Sequence, residues 1–252
     1  MRLTVLGGCG GWPAAGLACS GYLVEHDGFR LLIDPGYATV PRLLTVVAAD
    51  EVDAVLVSHG HPDHCADLNP LLRARALRDD DLPPALPVYA PAGELGPVLA
   101  LDRPGMLDDA IALREFTPGD RLEVGPFGVR SWLLPHWRPN AGLRLEADGR
   151  TLAYTGDSGP SPRLADLARD ADIFLAEATY PWQVPGDVAP YLSSARQAGA
   201  VASQAGTGQL VLTHLWPDTD PDESVRAAAG TYQGPIAVAV PGLVAEPAPR
   251  GE

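Results

Sequence analysis

The sequence predicts a layered α/β sandwich folded as one domain. Three observations predict it. Strand-like runs come first, strand and helix periodicities then alternate, and no linker, repeat or charge block divides the 252 residues. Hydrophobic residues make up 46% and charged residues 20%, the balance of a globular chain with a sizeable core. The domain is expected over residues 1–245, and the polar, proline-containing Glu246–Glu252 as a flexible tail.

Arg2–Gly7 reads as a strand entering a glycine-rich loop. Tyr22–His26 and Phe29–Ile33 read as a hairpin, because Asp27-Gly28 suits the positive φ of a tight turn. Val40–Ala49 looks helical and Ala54–Ser58 reads as a short buried strand. Ala66–Arg78 is expected as a helix with Arg73, Arg75 and Arg78 facing water. The proline-rich Leu82–Pro91 interrupts this pattern around a brief strand at Val88–Ala90. Further strands are expected at Val129–Leu134, Gly142–Glu146, Thr151–Tyr154, Ile173–Ala176, Gln209–Thr213 and Ile236–Val240. Two helix starts stand out: the capping box Ser194-Ala195-Arg196-Gln197, and Asp220-Pro221-Asp222-Glu223, which joins a cap, a first-turn proline and a returning glutamate. Ala195, Ala198, Val201, Ala202 and Ala205 give the first of these helices a narrow apolar face.

Charge excludes several chemistries. All 18 basic residues are arginine, so Schiff-base, Walker-A and protein-kinase sites, which need a lysine amine, are ruled out. The net charge of −14 repels a polyanion, so the partner is expected to be a small molecule and not nucleic acid. Cys9, Cys19 and Cys65 are an odd number without CxxC spacing, which fits a reducing cytoplasm better than a disulfide framework. The glycine-broken segment before Cys19 makes a poor signal peptide, and no run approaches a membrane span, so no membrane association is expected.

The histidines carry the chemistry. His59, His61 and His64 lie in Ser58-His59-Gly60-His61-Pro62-Asp63-His64, directly after a buried strand. His136 and His214 also follow strands, as does Asp157 in Thr155-Gly156-Asp157-Ser158-Gly159, so five of six histidines sit at strand ends. Imidazole and carboxylate donors suit Zn²⁺ and, less selectively, Fe or Mn. His59 and His61 can reach one ion together with His136; Asp63 and His64 can reach a second with His214; Asp157 can bridge. A water shared by two such cations is acidified and becomes a hydroxide nucleophile near neutral pH. Asp63 is placed to orient it.

HxHxDH followed by isolated His, Asp and His after strands resembles the metallo-β-lactamase superfamily. The likeness includes Leu6-Gly7-Gly8, Leu32-Ile33-Asp34-Pro35-Gly36 and Tyr154-Thr155-Gly156-Asp157, and extends over nearly the whole chain. It is closest to the ribonuclease Z and cyclic-nucleotide phosphodiesterase branch, since Leu175-Ala176-Glu177-Ala178-Thr179-Tyr180 looks like that branch's HEAT segment. The resemblance implies a four-layer αββα sandwich with two Zn²⁺ at one edge, and a structural role for Asp34 in orienting the metal loop. It also implies dimers, although no stripe here marks an interface. Two departures stand out. The branch has a histidine where this chain has Tyr191, and that histidine, supported by the glutamate matching Glu177, helps protonate the leaving group. A tyrosine is a much weaker acid at neutral pH. Transfer-RNA-processing members carry a long basic arm, yet only 21 residues separate His136 from Asp157.

Two substrate classes therefore stand open. One is a small phosphodiester; the other is a lactone, ester or thioester, whose leaving group needs less help from Tyr191 and Glu177. A transfer-RNA endonuclease or a non-catalytic metal-binding module fits less well. Trp12, Trp137, Trp182 and Trp216 lie beside the metal motifs and are expected either to pack under loops or to line a pocket for a flat substrate. Arg138 and Arg144 either neutralise an anion or are solvated, and Cys65 reads as a small buried residue.

Overall fold

The computed structural model describes residues 1–78 and 82–248. β1 (Arg2–Gly7) pairs antiparallel with β2 (Gly21–His26), and β2 with β3 (Phe29–Ile33). The hairpin turns through Asp27 and Gly28 at φ 49° and 80°, the left-handed backbone that glycine adopts freely and aspartate tolerates. β3 then runs parallel to β4 (Ala54–Leu56), β4 to β5 (Leu86–Pro91) and β5 to β6 (Ile111–Phe116). The second half repeats this order. β7 (Arg121–Val124), β8 (Phe127–Leu134), β9 (Asn140–Ala147) and β10 (Arg150–Tyr154) are antiparallel. β11 (Ile173–Glu177), β12 (Gln209–Thr213) and β13 (Ile236–Val238) extend them in parallel, and β14 (Val244–Ala245) returns to the free edge of β1. Among the described residues each sheet has seven strands.

Alternation along the strands builds four layers. Leu31 and Ile33 face the opposite sheet, packing in one cluster with Phe127, Leu143, Leu152 and Leu175. Leu32, one residue out of phase, packs with α1 (Val40–Leu43), α3 (Leu68–Ala76) and α4 (Gly96–Leu99) on the outer face. Phe174 and Leu212 do the same beneath α5 (Arg163–Ala168), α6 (Ala195–Ala205) and α7 (Pro221–Ala229). Each fully buried leucine contributes about 1.5–3 kcal/mol, so the inter-sheet layer and both outer layers stabilise the fold. The result is the expected αββα sandwich in a single domain.

Several local expectations are corrected. Val40–Ala49 is not one helix: only Val40–Leu43 is helical, followed by turns and a 3₁₀ turn at Ala49–Glu51. The Thr45 hydroxyl donates to the Arg42 carbonyl at 2.7 Å, a local bond that competes with helix continuation. Ala66–Arg78 shortens to α3, and Arg75 does not face water. It shares the buried face of Leu68, Leu71 and Leu72 and donates to the carbonyls of Ala49 (2.8 Å), Val52 (3.3 Å) and Pro84 (2.8 Å). β6, β7, α4, α5 and β14 escape the sequence pattern; β6 is an edge strand whose middle residues are exposed, which blurs its alternation. Ser194 caps α6 in a reciprocal box with Gln197, as expected. Asp220 caps α7 through the Asp222 N–H, but Glu223 turns instead to accept the Trp182 indole N–H at 2.9 Å. In the expected tail, Glu246 meets Arg2 and the Ala248 carbonyl accepts from Arg150; residues 249–252 lie outside the described residues.

Candidate metal centre

The parallel strands bring their carboxyl ends to one edge, where an open α/β sheet leaves room for ligands. Asp34 follows β3, His59 follows β4, Asp157 follows β10, Glu177 ends β11 and His214 follows β12; His136 follows antiparallel β8 at the same edge. α2 (Pro62–Cys65) starts with proline at its first turn and carries Asp63 and His64 back into the site. Gly36 lies against that helix: a Cβ there would overlap the Asp63 carbonyl, so only glycine fits.

Two groups of donors converge, and Asp157 belongs to both. His59, His61, His136 and Asp157 form one; Asp63, His64, Asp157 and His214 form the other. In the first, His61 Nδ1 lies 3.0 Å from both His59 Nε2 and His136 Nε2, while Asp157 Oδ2 lies 3.8 and 3.7 Å from the latter two. In the second, His214 Nε2 lies 3.2 Å from Asp63 Oδ2 and 3.1 Å from Asp157 Oδ2, and His64 Nε2 lies 3.1 Å from Asp157 Oδ1. Donors about 2.0–2.1 Å from a tetrahedral ion sit about 3.3 Å apart, so both groups have the spacing of a coordination shell.

The donor chemistry fits a cation as well. His64 Nε2 and Asp157 Oδ1 are fully buried and have no hydrogen-bond partner, an expensive state unless an ion satisfies them. The outward nitrogens of His59, His64 and His136 are held by hydrogen bonds. Asp34, itself buried, accepts from Ser58 N (2.7 Å), Ser58 Oγ (2.6 Å), His64 Nδ1 (2.7 Å) and Tyr154 OH (2.7 Å). Because Ser58 Oγ gives its proton to Asp34, it accepts from His59 Nδ1 at 3.0 Å. His136 Nδ1 donates to the Tyr191 carbonyl at 3.1 Å. Each of these imidazoles is left with Nε2 facing inward, the pattern of metal-ligating histidine.

A scan of known families finds that residues 29–215 match the beta-lactamase superfamily domain. The chain belongs to the metallo-β-lactamase superfamily. It is 32% identical over 249 residues to YhfI of Bacillus subtilis, described as a probable metallo-hydrolase, covering 98% of this chain and 100% of that protein. The crystal structure of YhfI superposes with a TM-score of 0.88 over 97% of this chain and 99% of that one, at 29% identity. A protein of Mycobacterium bovis named ribonuclease Z is 30% identical over 266 residues, covering 94% of this chain and 95% of that protein. Human tRNase Z, short form, shares the fold with a TM-score of 0.77 at 21% identity, over 98% and 99% of the two chains. The chain is accordingly a metal-dependent hydrolase of this superfamily, with histidine and aspartate clusters able to bind metal ions.

The charges in the superfamily site divide along its two halves. Burial pulls His59 well below the usual imidazole range and, with the neighbouring His136, pulls His61 down to about 4. Burial would lower His64 and His214 too, but the Asp157 carboxylate outweighs it, raising His64 well above the ordinary value and His214 to about 10. Burial alone would raise Asp63 and Asp157; His64 and His214 instead hold both below the ordinary carboxylate range. The charged forms of His64 and His214 are thus favoured where a cation would sit, and a metal held there would displace those protons.

Glu177 is buried, and its carboxyl is pushed up to about 8 by burial and then by Asp157, a second cause that a cation on Asp157 opposes. Its oxygens accept from Ser158 N–H, Thr179 Oγ1–H (2.7 Å) and Ser193 N–H (3.2 Å), and Thr179 Oγ1 lies 2.9 Å from His214 Nδ1. Ser58, Tyr154 and Thr179 lie inside the motifs around His59, Asp157 and Glu177, but nothing in the sequence assigns them a role of their own in the site. Trp137 packs against the Tyr191 ring at a 30° tilt (4.8 Å) and meets His136 edge-on (5.1 Å). Trp12 stacks on Trp216 at 5.1 Å, and Trp216 lies 6.0 Å from the His214 ring. Trp182 is drawn elsewhere, to Glu223 on α7. Arg138 is held by Glu94 at 2.7 Å, and Arg144 by Glu146 and the carbonyls of Leu167 and Arg169, so both are structural. Cys65 donates to the His61 carbonyl, and burial pushes its thiol up to about 12, the state of an inert packed cysteine.

Proposed function

We propose that this chain hydrolyses a small phosphodiester-type substrate with two zinc ions. The observation that carries the reading is Asp157 shared by two donor groups of coordination spacing. His59, His61 and His136 would hold one ion, Asp63, His64 and His214 the other, with Asp157 bridging. Five imidazoles and two carboxylates favour zinc, with iron or manganese the alternatives. Two such ions, when bound, lower the pKa of water toward neutrality and offset negative charge developing at a phosphoryl or carbonyl oxygen.

The chain's own residues do the rest. Asp63, held by the Gly11 N–H at 2.8 Å, orients the reacting water. The Trp12–Trp216 stack and the tilted Trp137–Tyr191 pair lie beside ligands of the two halves of the site and offer aromatic faces to ring-bearing groups of the substrate. Arg138 is committed to Glu94 and the net charge is −14, which favours a small, weakly charged substrate over nucleic acid. The connection from β8 to β10 is filled by β9, leaving no arm for transfer RNA. Three free, buried cysteines suit a reducing cytoplasm.

Hydrolysis of bis(p-nitrophenyl) phosphate by zinc-loaded protein tests the reading. We expect turnover that Asp157→Ala abolishes; two bound metal equivalents without diester turnover would refute it. A second reading, hydrolysis of a lactone, ester or thioester, is favoured by Tyr191, the residue this sequence has where the resembling branch has a histidine. Under it, Tyr191→His raises the diester rate and lowers the thioester or lactone rate.

A further inference from the structure

The resemblance assigns Glu177 to the leaving group, yet the structure gives that carboxylate a different neighbour. Thr179 Oγ1 donates its single proton to Glu177 Oε1 at 2.7 Å, so toward His214 Nδ1, 2.9 Å away, it can only accept. His214 therefore keeps its proton on Nδ1 and turns Nε2 toward Asp63 and Asp157. The same arrangement occurs once more in the site, where His59 Nδ1 donates to Ser58 Oγ and Ser58 Oγ to Asp34. Each is a histidine oriented by a buried carboxylate acting through one hydroxyl.

His214 needs this support more than the other ligands. Its backbone sits at φ 60°, a conformation that non-glycine residues hold only when the surroundings impose it. On the other side of the ring Gly10 packs so closely that a Cβ there would lie 2.7 Å from the imidazole. The segment that would carry the missing acid is also re-employed. The Tyr191 carbonyl accepts from His136, and the Ser193 N–H donates to Glu177, so one short stretch steadies ligands of both donor groups.

We propose that Glu177, acting through Thr179, is a positioning residue that fixes the tautomer and orientation of His214, and so the affinity of the Asp63–His64–His214 position. The proposal rests on the dinuclear reading above, and its test separates the two. Zinc equivalents retained by the full chain are measured against a graded chelator for wild type, Thr179→Val, Thr179→Ser and Glu177→Gln, beside the ¹⁵N signature of the His214 ring. Loss of an ordering hydrogen bond of this kind weakens metal binding about 10- to 100-fold. We expect Thr179→Val to lose that factor at one position only, with kcat falling and KM little changed. Thr179→Ser restores both, and Glu177→Gln, which keeps an acceptor oxygen, lies between. Should Thr179→Val not fold, the order wild type, Thr179→Ser, Glu177→Gln carries the same test. Wild-type retention of both zinc ions with an unchanged His214 tautomer in Thr179→Val and Glu177→Gln overturns the proposal and returns Glu177 to the leaving group. Wild type that holds fewer than two ions overturns the dinuclear reading itself, and the positioning proposal with it.

Discussion

Asp34→Asn isolates how much of the centre depends on a residue outside the donor groups. Asp34 Oδ2 accepts three protons, from Ser58 Oγ, His64 Nδ1 and Tyr154 OH, and Oδ1 accepts one, from Ser58 N. An asparagine can place its carbonyl only on one side. With the oxygen in the Oδ2 position, the amide NH₂ faces the Ser58 N–H and that bond is lost, while the other three lose their charge assistance. A hydrogen bond to a charged group is worth about 1.5–3 kcal/mol and a neutral one about 0.5–1.5 kcal/mol. The four changes, less the relief of no longer burying a charge, leave a destabilisation of about 3–5 kcal/mol. In a domain of this size each kcal/mol moves Tm by about 2–4 °C, so the melting temperature should fall by at least about 6 °C. His64 should also lose orientation, weakening metal binding about 10- to 100-fold. Thermal melting of the metal-free protein and a zinc titration measure the two effects. A variant that melts within about 2 °C of wild type and binds zinc normally would refute the argument.

Three further outcomes follow from other parts of the structure. Arg75→Met keeps the stem but removes three bonds to backbone carbonyls, two of them buried, and should cost about 3–5 kcal/mol in chemical denaturation while leaving zinc stoichiometry at the wild-type value. Glu177 has a folded pKa of about 8 against an ordinary 4.5, so its contribution to metal-free stability is full below pH 4.5 and is lost as pH rises through 8. Melting of wild type and Glu177→Gln across that window should show a steeper decline in wild type; parallel curves would contradict the assignment. Gly36→Ala forces a Cβ onto the Asp63 carbonyl, and should displace α2 and lower zinc occupancy at the Asp63–His64–His214 position, measured by metal analysis after dialysis.

Much of this site was legible in the chain because coordination chemistry needs particular side chains at particular spacings. His59, His61, Asp63 and His64 lie so close in sequence that local geometry alone places them together, and His136, Asp157 and His214 each follow a strand in the same way. The αββα architecture followed from the resemblance those residues carry. Local chemistry also announced the Asp27-Gly28 turn and the Ser194 cap.

Long-range packing decided the rest. Arg75 reads as a solvated arginine on a short helix, and only the carbonyls that converge from Ala49, Val52 and Pro84 make its burial favourable. Glu177 and Tyr191 read as partners for a leaving group. The fold adds contacts the sequence did not show: Thr179 stands between Glu177 and His214, and the Tyr191 ring packs against Trp137. Trp182 lies near the same motifs in sequence as Trp216, yet α7 draws it to Glu223. The sequence by itself determined which atoms are available to hold a cation, since donor chemistry is a property of the residue. Which hydrogen bond His64, His136 and His214 keep, and so which nitrogen each presents, was decided only in the folded core, because their partners Asp34, Tyr191 and Thr179 lie tens of residues away along the chain.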